Sequence, residues 1–174
     1  MSTRIPLPYS PKVLELFRNP KNAGPMEEAT VKAIAGSPAC GDMITLYLKI
    51  DEEKETIVRA SFESYGCAAN IAAASILTEK IKGKSLKEAW EITWQEISDE
   101  LGGLPVIKYH CSILAVGALK RAIRKYYDDR GTRPEWLPEK PSREELQVLE
   151  EEKMIEYMYK KFGLQVQSGG KQSG

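Results

Sequence analysis

Two runs of alternating apolar and polar residues constrain the fold of this chain more than any other feature of its sequence. The first run covers residues 43–50 and the second covers residues 57–63. A two-residue period indicates a strand that buries one face. Because only a short polar stretch, residues 51–54, separates the runs, they predict an antiparallel hairpin. The positions expected to face inward are Ile44, Leu46, Leu48, Ile50, Val58, Ala60 and Phe62.

Helical patterns occupy most of the remaining chain. Residues 30–35 alternate more weakly and predict one further strand. Elsewhere, apolar residues three and four positions apart, bounded by capping residues and glycines, predict helices. These helices cover residues 9–18, 67–82, 85–90, 93–101 and 111–127. Strands followed by helices in this order indicate an α+β fold.

The length and the proline pattern predict one domain with an extension. A chain of 174 residues fits one domain of about 150 residues. We predict a domain over residues 1–130, a proline-containing linker and a C-terminal helix over residues 131–167, and a disordered tail over residues 168–174. Ser142 and Glu145 form a capping box at the start of that helix, which we expect to pack on its own domain.

Charge and composition exclude several classes of protein. Lys and Arg total 25, as do Asp and Glu, so the net charge is zero, and a basic surface for nucleic acid or anionic lipid is not expected. No window approaches the roughly 20 apolar residues of a membrane-spanning helix, and residues 1–10 lack the apolar core of a secretory signal. Three cysteines do not suit a disulfide framework. We therefore expect a cytoplasmic protein with neither membrane nor nucleic acid as a partner.

The three cysteines, Cys40, Cys67 and Cys111, are the first candidates for a functional site. They lie 27 and 44 residues apart, so no short metal-binding or redox motif contains them. Each stands at the end of a predicted element, since Cys40 precedes a strand and the other two open helices. The N-terminus of a helix favours a thiolate, which is the form that binds metals.

Three further polar residues stand near these cysteines. Asp42 follows Cys40 by two residues, and His110, the only histidine, directly precedes Cys111. Three thiolates with one carboxylate or imidazole make a four-coordinate site for zinc or for iron–sulfur chemistry. Lys108 is either a solvated charge or a cation that stabilises the thiolates.

Other interpretations stay open at this point. A zinc ion with the same ligands would only stabilise the fold, and an isolated cysteine is often a small buried apolar residue. A nucleophilic cysteine–histidine pair fits less well, because adjacent residues such as His110 and Cys111 seldom face each other on a helix.

Several segments around these residues resemble those of one known family. The main matches are Ala39-Cys40-Gly41-Asp42, Tyr65-Gly66-Cys67 and Lys108-Tyr109-His110-Cys111-Ser112, with supporting matches at residues 9–13, 19–22 and 83–86. Together they span residues 9–127 in matching order and at matching separations. The chain thereby resembles the IscU/NifU-type iron–sulfur cluster assembly scaffolds, which include N-terminal NifU-like domains.

The resemblance implies a fold and a function. The implied fold is IscU/SufU-like, a small antiparallel sheet of about three strands covered by helices, to which this chain adds a C-terminal helix. The implied function is not enzymatic. Such a scaffold accepts persulfide sulfur from a PLP-dependent cysteine desulfurase, binds ferrous iron and assembles a 2Fe-2S cluster with electrons from a donor such as ferredoxin. It then releases the cluster to apo iron–sulfur proteins, and a cluster-bound scaffold can be a homo-oligomer.

The resemblance also implies roles for the site residues. Cys40, Cys67 and Cys111 would be ligands, with Asp42 or His110 as the fourth. Cys111 would be the favoured sulfur acceptor, and Asp42 would keep the site exchangeable, because a carboxylate suits a cluster less well than a thiolate does. Two alternatives remain: a zinc-bound sulfur acceptor that activates a desulfurase, and a structural zinc protein.

Three positions depart from the family pattern. Residues 68–70 read Ala-Ala-Asn where many members have Gly-Ser after the cysteine, and Leu16 stands where histidine is common. Residues 104–107 lack the second proline of the chaperone-recognition motif of bacterial members. The resemblance therefore implies the other partners more strongly than it implies an Hsp70-type chaperone.

Overall fold

A three-stranded antiparallel sheet forms the base of the fold in the computed structural model, which describes residues 9–37, 41–103 and 109–162. The strands β1 (Val31–Ser37), β2 (Asp42–Asp51) and β3 (Thr56–Tyr65) lie in the order β1-β2-β3. The predicted hairpin is β2–β3, and the weaker alternating run is β1. The predicted α+β fold with a small antiparallel sheet is therefore confirmed.

Six helices accompany the sheet in the described part of the chain. They are α1 (Pro11–Arg18), α2 (Ala68–Ile81), α3 (Leu86–Trp90), α4 (Trp94–Glu100), α5 (Tyr109–Arg130) and α6 (Arg143–Phe162). Ser10, Ser85 and Thr93 cap α1, α3 and α4, since each hydroxyl accepts a hydrogen bond from the backbone N–H three residues further on. These caps explain why the short helices begin where the sequence predicts.

The hydrophobic core lies between the sheet and the helices α2 and α5. Leu46 and Leu48 of β2 are fully buried there, as is Leu119 of α5. The alanine-rich helix α2 is buried around most of its circumference, because it contacts β3, α1 and α5. Small side chains such as Ala72 and Ala73 suit a helix enclosed in this way. The packing holds the N-terminal ends of α2 and α5 against one end of the sheet.

One of the inward positions predicted from the alternation is wrong. Val58 is 54% exposed, whereas its neighbour Ile57 is fully buried. The β2–β3 register shifts between Lys49 and Ile50, so that Lys49 lies opposite Arg59 and Ile50 lies opposite Ile57. The pairing skips Val58, and a β-bulge of this kind inverts the alternation of buried and exposed residues.

The C-terminal helix α6 packs on α5 and contacts β1. Arg124 of α5 donates two hydrogen bonds, of 2.5 and 3.2 Å, to the carboxylate of Glu145, which is fully buried. A Cβ atom at Gly117 would come within 2.7 Å of the Val148 side chain, so the two helices approach closely there. The order of these contacts makes α6 antiparallel to α5, as expected of a helix that packs on its own domain.

Within residues 9–37, 41–103 and 109–162, every helix is too short or too polar to cross a membrane.

The predicted tail, residues 168–174, lies outside the described residues. The domain boundary near residue 130 stays a prediction.

The bulge predicts different effects for two neighbouring apolar residues. Ile57→Ala removes a fully buried side chain and should lower the free energy of unfolding by about 2–4 kcal/mol. Val58→Ala is the matched control, and it should change that free energy by less than about 0.5 kcal/mol because Val58 faces solvent. Urea denaturation followed by circular dichroism measures both values, and equal losses would contradict the register shift.

Candidate metal centre

Three element ends meet at one edge of the sheet. Asp42 is the first residue of β2, and Tyr65 at the end of β3 lies opposite Met43, so the hairpin returns the chain to Asp42. Cys67, two residues later, occupies the N-cap position of α2 without a side-chain capping hydrogen bond. His110 and Cys111 lie in the first turn of α5, which packs across the sheet and α2.

Four donor atoms from these residues lie close together. The carboxylate oxygen Oδ2 of Asp42 is 3.2 Å from Nε2 of His110, 3.8 Å from Sγ of Cys111 and 3.9 Å from Sγ of Cys67. The two sulfur atoms are 3.7 Å apart, and Nε2 of His110 is 4.0 Å from Sγ of Cys111. A sulfur separation of 3.7 Å is far beyond a disulfide bond of about 2.05 Å.

These separations fit three ligands of a single metal ion, because the donor atoms of Asp42, His110 and Cys111 all lie within 4.8 Å of one another. Bonds of about 2.3 Å from zinc to sulfur and about 2.0–2.2 Å to nitrogen or oxygen place the ligand atoms roughly 3.3–3.8 Å apart. The separations among these three residues run from 3.2 to 4.0 Å, and the sulfur of Cys67 lies 3.7 Å from that of Cys111 and 3.9 Å from Oδ2 of Asp42. The donor set of two sulfurs, one nitrogen and one oxygen suits zinc and ferrous iron.

The site is closed on one side and open on the other. Asp42 is 2% exposed and Cys111 is fully buried. Cys67 is half-buried, and the side chain of His110 is 22% exposed. A metal ion or a sulfur donor therefore meets Cys67 and His110 first.

Asp42 is held in one orientation by the backbone of the helix it faces. Its Oδ1 accepts a hydrogen bond of 2.9 Å from the N–H of Cys67, which leaves Oδ2 directed at the other donor atoms. Gly66 makes this approach possible, because a Cβ atom there would lie 2.1 Å from Oδ1 of Asp42. Gly66 also has a φ of +150°, which side chains rarely allow.

Asn70 makes a second connection between α2 and the strand ends. It is fully buried, and its side-chain amide donates hydrogen bonds to the carbonyl of Met43 (3.3 Å) and to the hydroxyl of Ser64 (2.7 Å). Met43, next to Asp42, and Ser64, two residues before Gly66, are thereby connected to the first turn of α2. In the sequence, Asn70 stands out only as part of a departure from the family pattern. A polar residue within an alanine-rich helix is itself a sign of a specific role, because a buried amide needs hydrogen-bond partners.

His110 and Cys111 do face a common point, contrary to the expectation for adjacent helical residues. Both reach Oδ2 of Asp42 in front of the N-terminus of α5. The same ring nitrogen, Nε2, faces the carboxylate and the thiol. In a nucleophilic triad the acid and the nucleophile bind different nitrogens of the imidazole, so the arrangement is not that of such a triad.

The structure thus brings together four of the six residues singled out by the sequence, Asp42, Cys67, His110 and Cys111. Cys40 and Lys108 lie outside the described residues. Their roles as ligand and supporting cation stay predictions.

Comparison with known proteins gives consistent similarities. The family model described as "NifU-like N terminal domain" matches residues 8–133. The chain is 38% identical over 150 residues to the iron–sulfur cluster assembly scaffold protein IscU of Aquifex aeolicus, covering 86% of this chain and 96% of that protein. It is 43% identical over 126 residues to the protein of the same name from Haemophilus influenzae, covering 71% and 98%. A crystal structure of a putative scaffold for the SUF system from Fervidobacterium islandicum superposes with a TM-score of 0.54 at 26% identity, covering 66% and 96%.

A side chain at position 66 should disrupt the site. In Gly66→Ala the new Cβ atom would displace the Asp42 carboxylate, and we expect the affinity for Co²⁺ to fall at least about tenfold. Gly83→Ala is the control, since Gly83 also has a positive φ (+78°) but open space around it. Titration with Co²⁺, followed by its thiolate and visible absorption bands, measures both affinities. Equal losses in the two variants would contradict the role given to Gly66.

Removal of the Asn70 amide should loosen Asp42 before any metal binds. In Asn70→Ala we expect the amide proton of Cys67 to exchange with solvent about tenfold faster in the apo protein, and the Co²⁺ affinity to fall by a similar factor. Thr78→Ala, at another fully buried polar residue of α2, is the control. Unchanged exchange at Cys67 in Asn70→Ala would show that Asn70 has no positioning role.

Proposed function

The chain belongs to the family of NifU-like N-terminal domains, and from this premise we propose that it is a scaffold on which iron–sulfur clusters are assembled and from which they are passed to other proteins. One observation carries the proposal beyond family membership. The two thiols of Cys67 and Cys111 and the imidazole of His110 all lie within 3.9 Å of one carboxylate oxygen of Asp42, at a partly open place beside the strand ends. The relatives named above are described as scaffolds of this kind.

We propose Cys40, Cys67 and Cys111 as the cluster ligands, with Asp42 or His110 completing the set. The site then has five candidate donors for the four protein ligands that a 2Fe-2S cluster takes. A surplus of donors allows one ligand to replace another, and a carboxylate or imidazole exchanges more readily at a cluster than a thiolate does. Exchange of this kind supports a transient cargo of the 2Fe-2S type better than a permanent redox centre.

Sulfur would arrive by exchange with a partner's persulfide. The thiolate of the scaffold attacks the terminal sulfur, the sulfur–sulfur bond of the partner's persulfide breaks, and the partner's cysteine leaves as a thiolate. Cys111 is the proposed acceptor, but it is fully buried behind Asp42 and His110. We therefore propose that Asp42 or His110 moves aside before Cys111 reacts.

The proposed partners follow from this chemistry. A PLP-dependent cysteine desulfurase supplies the persulfide, and apo iron–sulfur proteins take the finished cluster. Ferrous iron supplies only part of the electrons that reduce persulfide sulfur to sulfide, so an electron donor such as ferredoxin belongs to the proposal. A net charge of zero favours protein partners over nucleic acid, and we propose a cytoplasmic location without catalysis of its own.

A second candidate function has its own supporting observation. The close approach of the Asp42, His110 and Cys111 donor atoms would suit zinc, so we alternatively propose a zinc-bound sulfur acceptor that activates the desulfurase. In that case zinc would order the site, and the zinc form would stimulate the desulfurase without any iron.

Anaerobic assembly distinguishes the two functions. The protein is incubated with ferrous iron, cysteine, a reductant and a cysteine desulfurase, and iron and acid-labile sulfide are then measured. A scaffold should acquire the two in equal amounts together with a visible cluster spectrum, and a Cys111→Ser variant should lose most of both. Binding of zinc alone, without a sulfide-containing chromophore, would refute the scaffold function.

Asp42 should set how readily the cluster leaves. We expect Asp42→Ala to slow transfer to an apo-acceptor by about tenfold or more, because the exchangeable carboxylate is gone. Asp42→Asn removes the carboxylate charge but retains an oxygen that can accept the hydrogen bond from the N–H of Cys67. This variant therefore distinguishes an effect on cluster release from an effect on the local structure. Asp99→Ala, at an exposed aspartate of α4, is the control. Stopped-flow absorbance measures the transfer, and equal or faster transfer from Asp42→Ala would contradict this role.

A further inference from the structure

The helix α6 lies beyond residues 8–133, which match the family, and among its described side chains the buried ones lie on one face. Glu145 and Val148 on that face are buried against Arg124 and Gly117 of α5. The buried ion pair and the close approach at glycine fix the rotation of α6 about its own axis. The rotation of α6 therefore determines which of its side chains face solvent.

That outer face carries large apolar side chains. Leu146, Met154 and Tyr157 are 46%, 52% and 61% exposed, and they are three of the seven large apolar residues exposed in the described parts of the chain. A helix face in contact with water alone does not need such residues. The face is consequently a candidate contact surface.

Four residues of the outer face follow the spacing of a coiled-coil seam. Leu146, Glu150, Lys153 and Tyr157 are all exposed and are separated by four, three and four residues. Spacings that alternate between four and three residues are those of a heptad repeat, which keeps one line of side chains directed at a partner helix. We call these four residues the α6 seam.

We propose that the α6 seam pairs with the α6 seam of a second copy of this chain, with the two helices antiparallel. In that arrangement Leu146 of one copy lies opposite Tyr157 of the other, and Glu150 lies opposite Lys153. The two-fold symmetry repeats each contact, which gives two apolar pairs at the sides and two opposite-charge pairs at the centre.

The pattern of the seam favours a second copy over an unrelated partner. Reversal of the sequence Leu-Glu-Lys-Tyr places an apolar residue opposite an apolar residue and an acid opposite a base, which is the self-complementarity that a two-fold interface requires. The interface is small, below about 1,200 Å² in total, so the dimer is weak and concentration-dependent. The pairing does not depend on the proposed function, because it needs no metal or sulfur.

Charge variants test the pairing in the apo protein. Glu150→Lys and Lys153→Glu each place like charges opposite each other twice, and each should weaken dimerisation at least about tenfold in sedimentation equilibrium. The double variant Glu150→Lys/Lys153→Glu restores opposite charges and should recover dimerisation to within about threefold. A wild-type protein that stays monomeric at all accessible concentrations, or a double variant no better than the single ones, would overturn the proposal.

A variant that strengthens the dimer gives an independent test. Arg143 and Lys160, both exposed, continue the seam at its ends and lie opposite each other in the paired helices. Lys160→Glu should replace this repulsion by attraction and tighten the dimer by about threefold or more. Lys87→Glu on α3 makes the same charge change away from α6 and should leave dimerisation unchanged. Equal effects of the two variants would show that net charge, and not the α6 seam, controls association.

Discussion

The hydrogen bond between the Asp42 carboxylate and the backbone N–H of Cys67 is the contact on which the site depends. A carboxylate that is 2% exposed is stable only if its oxygens have partners. Oδ1 has its partner in the N-terminal turn of α2, and Oδ2 is left to face Cys67, Cys111 and His110. Gly66 permits this contact because it has no Cβ atom. The geometry of the donor atoms thus follows from one strand end that touches one helix N-terminus.

The arrangement combines donor atoms that are held in position with access from solvent. Burial of Asp42 and Cys111 and the ties made by Asn70 keep the donor atoms in place before a metal arrives. Partial exposure of Cys67 and His110 leaves a route for entry and exit. In a set of mixed oxygen, nitrogen and sulfur donors, the oxygen and nitrogen ligands exchange at a cluster more readily than thiolates do. The family to which the chain belongs includes relatives named as scaffolds, for which such a balance is appropriate.

Much of the fold was predictable because it rests on local patterns. The alternating runs define β2 and β3, and the capping residues Ser10, Ser85 and Thr93 mark helix starts where the structure has them. The orientation of Val58 was not predictable, because the bulge depends on how two strands align. The grouping of Asp42, His110 and Cys111 as candidate ligands rested on residue type and on the family resemblance, since the helical angle between His110 and Cys111 does not include the carboxylate that both of them reach.

By itself, the sequence determined which segments are strands and helices and which side chains offer sulfur, nitrogen or oxygen as ligands. These properties depend on residue type and on spacing within about ten residues. Only the tertiary structure decided which donors meet, because Asp42 is separated from Cys67 by 25 residues and from Cys111 by 69. It also decided that Asn70 supports the site and that one face of α6 is left exposed. Contacts of this range depend on the packing of α2, α5 and α6 against the sheet and against each other, which no local pattern encodes.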